Sequence, residues 1–362
     1  MDRPLRVAVI GAGAMGQRHL NGWQQVPGVQ VVALADVNSE LAARAAAERN
    51  IPVAVSDYRQ AIDRPEVDAI SVCTPACFHP AVTIFAAQAG KHVLCEKPVA
   101  LSLAEADAMI AAAEAHGVQL VIGFMTRMAK GLPIVQRLIG PEGIGRPVLY
   151  RAHQLARVRP KLMMHELHGN GGPIVDTCCH NFDVWSLLFG APRRVYARGW
   201  VWGEGKPSLA PIKEYAIDTA AMLIEYEQGD VADMTISWGM PEAFGRHGAD
   251  EEELLGPNGV LRGDFRRELR YIDGDGQETV YGNRAAAMYD DEIATFARRL
   301  RGDGTGGLAD GVTAVTQPIT DDAAAALPLA GGADGRRALA MSLAVLDSIR
   351  TGQVIELAEG NG

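Results

Sequence analysis

Leu5 to Ile10 is a nearly pure apolar run that stops at Gly-Ala-Gly-Ala-Met-Gly, after which residues 17–26 continue as a helix. That order of strand, glycine turn and helix constrains the fold tightly, because a GxGxxG match has structural meaning only inside a βαβ unit. Each glycine has its own reason to be there. Gly11 permits the tight turn, Gly13 lets a pyrophosphate approach the backbone, and Gly16 allows helix to pack closely on strand. Ala12, Ala14 and Met15 complete the turn, and the helix amino terminus offers N–H groups and a positive dipole end to phosphates. The next run, Val29 to Ala35, ends in Asp36, where a carboxylate accepts hydrogen bonds from an adenosine ribose diol. No arginine stands at Val37, Asn38 or Ser39, so the expected cofactor is NAD. NADP stays open through a loop arginine such as Arg44.

The alternation continues with an Ala-rich helix from Ser39, a strand near Val53, a strand at 67–73 and a helix ending by Gly90. His92–Cys95, a helix at 102–116 and a strand at 118–123 follow. Repeated βα units predict a doubly wound parallel sheet with helices on both faces, an α/β Rossmann domain over residues 1–124. Beyond it, strand candidates at 147–157, 193–201, 215–226, 231–238, 259–262, 268–272 and 277–281 cluster, interrupted by one helical stretch after the first of them. Residues 125–362 are therefore expected to form an α+β domain with a large open, mostly antiparallel sheet, for substrate binding and oligomerisation. Helices are expected at 172–189, 289–301 and 334–349, the last packing back on the first domain, and 302–320 reads as a loop.

Composition removes several classes of function. The net charge of −10 argues against nucleic acid as a partner. No run approaches 18 apolar residues, and the strand pattern starts by Leu5, so neither a membrane span nor a signal peptide is expected and the location is read as cytoplasmic. Five cysteines without a paired CxxC ladder read as buried small hydrophobes.

Two stretches carry candidate chemistry. In the first, HVLCEKPVA at 92–100, an apolar strand ends in Glu96, Lys97 and Pro98. The carboxyl edge of an open α/β sheet is where ligands bind, although a solvated Glu-Lys pair is the plainer reading of those residues alone. In the second, residues 171–190, a continuous helix would place Asp176, His180 and Asp183 on one face of an otherwise apolar segment. Such a stripe is costly unless it is paired or lines a cavity; the plainer alternative is an Asp-His bond that locks the helix. His153, His165 and His168 with Cys178, Cys179 and His180 lack the spacing of a zinc site, so no metal is expected. Oxidising a secondary alcohol needs a base and stabilisation of the developing alkoxide. Lys97 can hold or exchange a proton there, His180 has the pKa of a base, and Asp176 can fix its tautomer.

Taken together, the motifs VIGAGAMG with Asp36, TPxxxH at 74–79, AGKHVLCEKP at 89–98, GFMTR at 123–127 and GGxxxDxxxHxxD at 171–183 resemble the Gfo/Idh/MocA oxidoreductases over nearly the whole chain. Within that family they are closest to inositol and sugar dehydrogenases of carbohydrate metabolism. The resemblance implies Lys97, Asp176 and His180 as a catalytic trio, with Thr74, Pro75, His79 and Glu96 along the cofactor. It further implies that Arg127 and His153 face a polyol or sugar substrate, that the Lys97-Pro98 peptide is cis, and that the chain forms homodimers or homotetramers through the open sheet face. Relatives often carry glycine where this chain has Cys178, a larger side chain expected to narrow either the substrate cleft or the contact with the nicotinamide. An NAD-dependent glycosidase or lyase using transient hydride transfer, and a silent dinucleotide sensor, are the alternative readings.

Overall fold

The computed structural model describes residues 3–244, 249–282, 287–302 and 327–357. The loop read at 302–320 lies, beyond Gly302, outside them. In chain order the structure runs β1 (Leu5–Ile10), α1 (Ala14–Gln25), β2 (Val29–Ala35), α2 (Ser39–Glu48), β3 (Val53–Val55), α3 (Tyr58–Ile62), β4 (Ala69–Val72), α4 (His79–Gln88), β5 (His92–Cys95), α5 (Leu103–Ala115) and β6 (Leu120–Ile122). It continues through α6 (Leu132–Leu138), β7 (Leu149–Arg157), α7 (Gly172–Asp176), α8 (Cys178–Phe189), β8 (Pro192–Trp200), β9 (Thr219–Tyr226), β10 (Val231–Met240) and β11 (Ala249–Gly256). Then come β12 (Gly259–Asp264), β13 (Glu268–Asp273), β14 (Glu278–Gly282), α9 (Met288–Arg301), β15 (Ala330–Gly331), α10 (Gly332–Thr351) and β16 (Ile355–Glu356).

Two compact units emerge. Among the described residues the first comprises 3–125, 287–302 and 328–336. Its sheet has the order β15-β6-β5-β4-β1-β2-β3, parallel throughout except for β15 on β6. The strand order therefore reverses at β1, between β2 and β4, which is the switch point of a doubly wound sheet. The Rossmann architecture read from the sequence is the one found, but a single cut after Phe124 misses α9 and β15, which join this unit from the far end of the chain. On α1, Gly16, His19, Leu20, Gly22 and Trp23 are buried; this helical spacing lays one face on neighbouring elements. Trp23 meets Phe296 of α9 edge-to-face with centroids 6.2 Å apart, and a Cβ on Gly22 would stand 2.6 Å from Ile293 Cδ1.

The second unit carries a sheet of order β14-β13-β12-β11-β7-β10-β9-β8-β16, antiparallel except where β10 lies parallel to β7. One face is packed: Tyr150 of β7 meets Trp185 and Phe189 of α8 at 5.4 and 6.2 Å. Ser348 of α10 accepts the Ala197 N–H of β8. The other face presents Leu149, Tyr196, Trp200 and Leu223 to the surface. Residues 172–189 are two helices rather than the single one expected. At Thr177 (φ −106°, ψ −49°) the ladder slips, with the His180 N–H bonding the Thr177 carbonyl three residues back instead of Asp176. The Cys179 thiol donates to the Asp176 carbonyl at 3.3 Å, an acceptor that a regular helix would have given to His180.

Candidate functional site

The first unit carries a cradle built mostly from main chain. Gly11 has φ +100°, and a Cβ there would stand 2.7 Å from the Cys73 carbonyl oxygen, so the loops after β1 and β4 touch at the switch point. Gly16 admits no side chain, since a Cβ would fall 1.8 Å from the Gly11 oxygen. Gly13 differs. A Cβ there would meet nothing within 4 Å, so its missing side chain leaves open space beside the amino terminus of α1. That terminus has no side-chain cap and no acidic residue in its first turn, the condition under which its Ala14, Met15 and Gly16 amides can receive an anion. Asp36, at the end of β2, accepts the Ala12 N–H at 2.7 Å and the Asn38 N–H at 2.9 Å. Each carboxylate oxygen retains acceptor capacity for a ribose hydroxyl. These residues fit the adenosine diphosphate half of NAD.

At the carboxyl end of β5, Glu96 is buried and Lys97 half-buried, and the Lys97-Pro98 peptide is cis. Glu96 Oε1 lies 2.9 Å from His19 Nε2, and its other oxygen accepts the Lys97 backbone N–H at 3.2 Å. Burial alone would keep His19 neutral, but interactions with Cys73 and with Glu96 reverse that and push its pKa well above the ordinary value. Burial likewise opposes charge on Glu96, yet the bond from His19, its charge and the neighbouring Lys97 and His79 together outweigh it and hold the carboxyl below its usual range. His79 places its two ring nitrogens 2.8 Å from the Pro98 carbonyl and 2.9 Å from the Thr74 carbonyl, tying the loop that carries Thr74 and Pro75 to the far side of the same turn. Tyr289 of α9, unremarked in the sequence, senses Glu96 and Lys97 electrostatically; burial first, then Glu96, push its pKa to about 12. Arg18 stacks over its ring at 4.6 Å.

In the second unit Asp176 and His180 flank the slip between α7 and α8. Asp176 is buried, with the Asn170 amide 3.4 Å from Oδ1. His180 is half-buried, and its Nδ1 lies 3.5 Å from Thr126 Oγ1, a long contact by hydrogen-bond standards. Asp183 does not complete a stripe with them. Its carboxylate is forked by Arg127, Nε to Oδ2 at 2.7 Å and a terminal nitrogen to Oδ1 at 2.5 Å, both side chains 2% exposed.

Three expectations change accordingly. Arg127 was expected to face substrate; instead its guanidinium is buried in that ion pair. His153 projects from the face of β7 opposite Tyr150 and Ala152, beside Thr235 and 3.9 Å from Glu251, so it is not brought together with Asp176 and His180. Cys178 narrows no cleft: it is fully buried with its Sγ 3.9 Å from Met234 Sδ on β10. Of the remaining histidines, His165 Nε2 accepts the Arg159 N–H and His168 pairs with Glu214 on the surface.

Two family models cover most of this chain. One described as "Oxidoreductase family, NAD-binding Rossmann fold" matches residues 5–124, and one described as "GFO/IDH/MocA C-terminal domain" matches residues 134–262. The inositol 2-dehydrogenase of Acidothermus cellulolyticus is 30% identical over 305 residues, covering 82% of this chain and 85% of the relative. The chain belongs to the Gfo/Idh/MocA oxidoreductase family. The uncharacterised oxidoreductase YrbE of Bacillus subtilis is 28% identical over 309 residues, covering 83% of this Gfo/Idh/MocA chain and 87% of YrbE. Among solved structures, levoglucosan dehydrogenase in complex with NADH superposes with a TM-score of 0.81 at 21% identity, covering 98% of this chain and all of the other. Membership in the family makes the first unit an NAD-binding Rossmann domain and the chain an oxidoreductase. No helix among the described residues is long and apolar enough to cross a membrane.

Proposed function

We propose that this protein is an NAD-dependent dehydrogenase that oxidises a secondary hydroxyl of a sugar, glycoside or cyclitol, with Lys97, Asp176 and His180 acting on that hydroxyl. The observation that carries the reading is the placement of Lys97: half-buried, at the carboxyl end of β5, in the unit that also holds the glycine cradle and Asp36. Bound NAD supplies the acceptor for the hydride that leaves the substrate carbon. The chain supplies the proton chemistry. His180 takes the hydroxyl proton, its imidazole being suited to exchange near neutral pH. Lys97 donates to the substrate oxygen and stabilises the charge that grows there, while Asp176 orients the hydroxyl. The inositol and levoglucosan dehydrogenases among the relatives support a polyhydroxylated ring as substrate.

Homodimers or homotetramers built on the open sheet face, and a cytoplasmic location, belong to the same proposal. The test is a panel of sugars, glycosides and inositols assayed with NAD and NADP side by side. Steady accumulation of NADH with at least one free polyol is the expected result. Turnover without net NADH would move the protein to the transient-oxidation class, and a clear preference for NADP would overturn the role given to Asp36.

A further inference from the structure

His19 has no place in the chemistry above, yet it is a fully enclosed ionisable group beside the Lys97 turn. Its relative exposure is zero, and both ring nitrogens have a polar side-chain partner. Nδ1 lies 2.6 Å from Ser71 Oγ on β4, and Nε2 lies 2.9 Å from Glu96 Oε1. Trp23 donates its indole N–H to the same Ser71 oxygen at 3.2 Å. Glu96 as a carboxylate can only accept, so the hydrogen on Nε2 is fixed by its partner, and Ser71 fixes the ring's orientation from the other side. A buried ion pair is weak evidence for stability, since well-packed apolar side chains of similar volume often serve as well or better. The pairing therefore calls for a role other than stability.

Its position supplies one. His19 stands one turn beyond Gly16, on the helix whose first turn forms the cradle, and moves with that helix as a rigid element. Through Nε2 it holds one oxygen of Glu96, while the other oxygen holds the Lys97 backbone N–H. On the far side of Lys97, His79 holds the Pro98 carbonyl. The turn is thus gripped immediately before and after the lysine, and the grip on the near side runs back to the phosphate-binding helix.

We infer that His19 is a positioning residue that acts through Glu96 to register the Lys97 turn against the helix that seats the dinucleotide. The inference deepens the proposed function and rests on it for the meaning of Lys97, but its test does not need the substrate. Two variants separate the contacts. In H19Q the side-chain nitrogen falls near Nε2 and keeps a donor for Glu96; in H19N it falls near Nδ1, keeping Ser71 and losing Glu96. The reactivity of the Lys97 amine is read by trace acetylation with acetic anhydride and peptide mass spectrometry, with exposed Lys213 as internal reference. NAD affinity is read separately by titrating tryptophan fluorescence.

In H19N, Lys97 labelling relative to Lys213 should change at least fivefold while the NAD dissociation constant stays within threefold; in H19Q both should stay within twofold of the parent. Where a polyol substrate has been found, kcat of H19N should fall about tenfold with KM little changed. Parent-like labelling in H19N, or the same change in H19N and H19Q, overturns the inference. If H19N does not fold, E96Q carries the test: it keeps the volume but loses the carboxylate grip, and unchanged Lys97 labelling there overturns the inference equally. Failure of every polyol in the panel would sink the proposed substrate class and leave the labelling result standing.

Discussion

The two units build their candidate functional groups from different materials. In the first, the cradle consists of main-chain amides, missing side chains and one carboxylate fixed by two backbone N–H groups. In the second, Asp176 and His180 are set by a slip between two helices and by a buried arginine-carboxylate fork further along α8. A backbone-built site tolerates few substitutions but declares itself through glycine spacing. A site built from side chains depends on partners far apart in the sequence, such as Arg127 and Asp183, and its geometry becomes visible only in three dimensions.

Mutations can break or sharpen this contrast, and the largest effect belongs to Lys97. Lys97→Ala removes the group proposed to stabilise charge on the substrate oxygen, so the turnover rate should fall by ~10²–10³ with NAD binding altered only a few-fold; parent-like turnover would instead favour a dinucleotide sensor. Next is Arg127→Met, which leaves Asp183 buried and uncompensated. Denaturant unfolding should register a loss of ~3–5 kcal/mol, largely restored when Asp183→Leu is added. A loss below about 1 kcal/mol, the range of exposed pairs, would remove the fork from the account.

Gly13→Val probes the other construction. The Cβ added there meets no protein atom within 4 Å, so the melting temperature should hold while NAD affinity drops at least tenfold, about 1.4 kcal/mol. A drop in melting temperature without loss of affinity would show that Gly13 serves packing. The smallest effect is on pH dependence. Glu96 has a lowered pKa in the fold, so its contribution is present above the ordinary carboxyl value of about 4.3 and fades as pH falls through its folded value. His19 has a raised one, so its contribution is present below about 6.5 and fades as pH rises through its folded value. Both are complete only between those limits. The stability gap between parent and H19N, measured by urea unfolding across pH, should be widest there; a gap that widens steadily into alkali contradicts the pairing.

The first unit was largely legible because its signals are local. β1, β2 and β5 have the bounds their apolar runs predict, since strands covered on both faces read as near-continuous hydrophobic stretches. The second unit hid its signals in long-range pairs. β11 escaped notice because Asp250 to Glu253 reads as a solvated charge run. One of those acids, Glu252, occupies an inward strand position, where it accepts the hydroxyl of Tyr150, 102 residues earlier in the chain. Arg127 was read as substrate-facing from the family resemblance, and nothing local to it signals its partner Asp183, 56 residues later in the chain. No periodicity predicts the slip at Thr177, which is marked only by the thiol of Cys179 reaching the carbonyl that the slip releases.

The return of α9 and β15 to the first unit has a consequence for how the chain is made. Trp23 finds Phe296, and β6 its outer neighbour, only when residues that follow β14 of the second sheet have been synthesised. On the ribosome the glycine turn emerges early but waits for nearly the whole translation before its helix gains its last wall. A chain holding only the amino-terminal half therefore lacks two elements of the dinucleotide unit, α9 and β15.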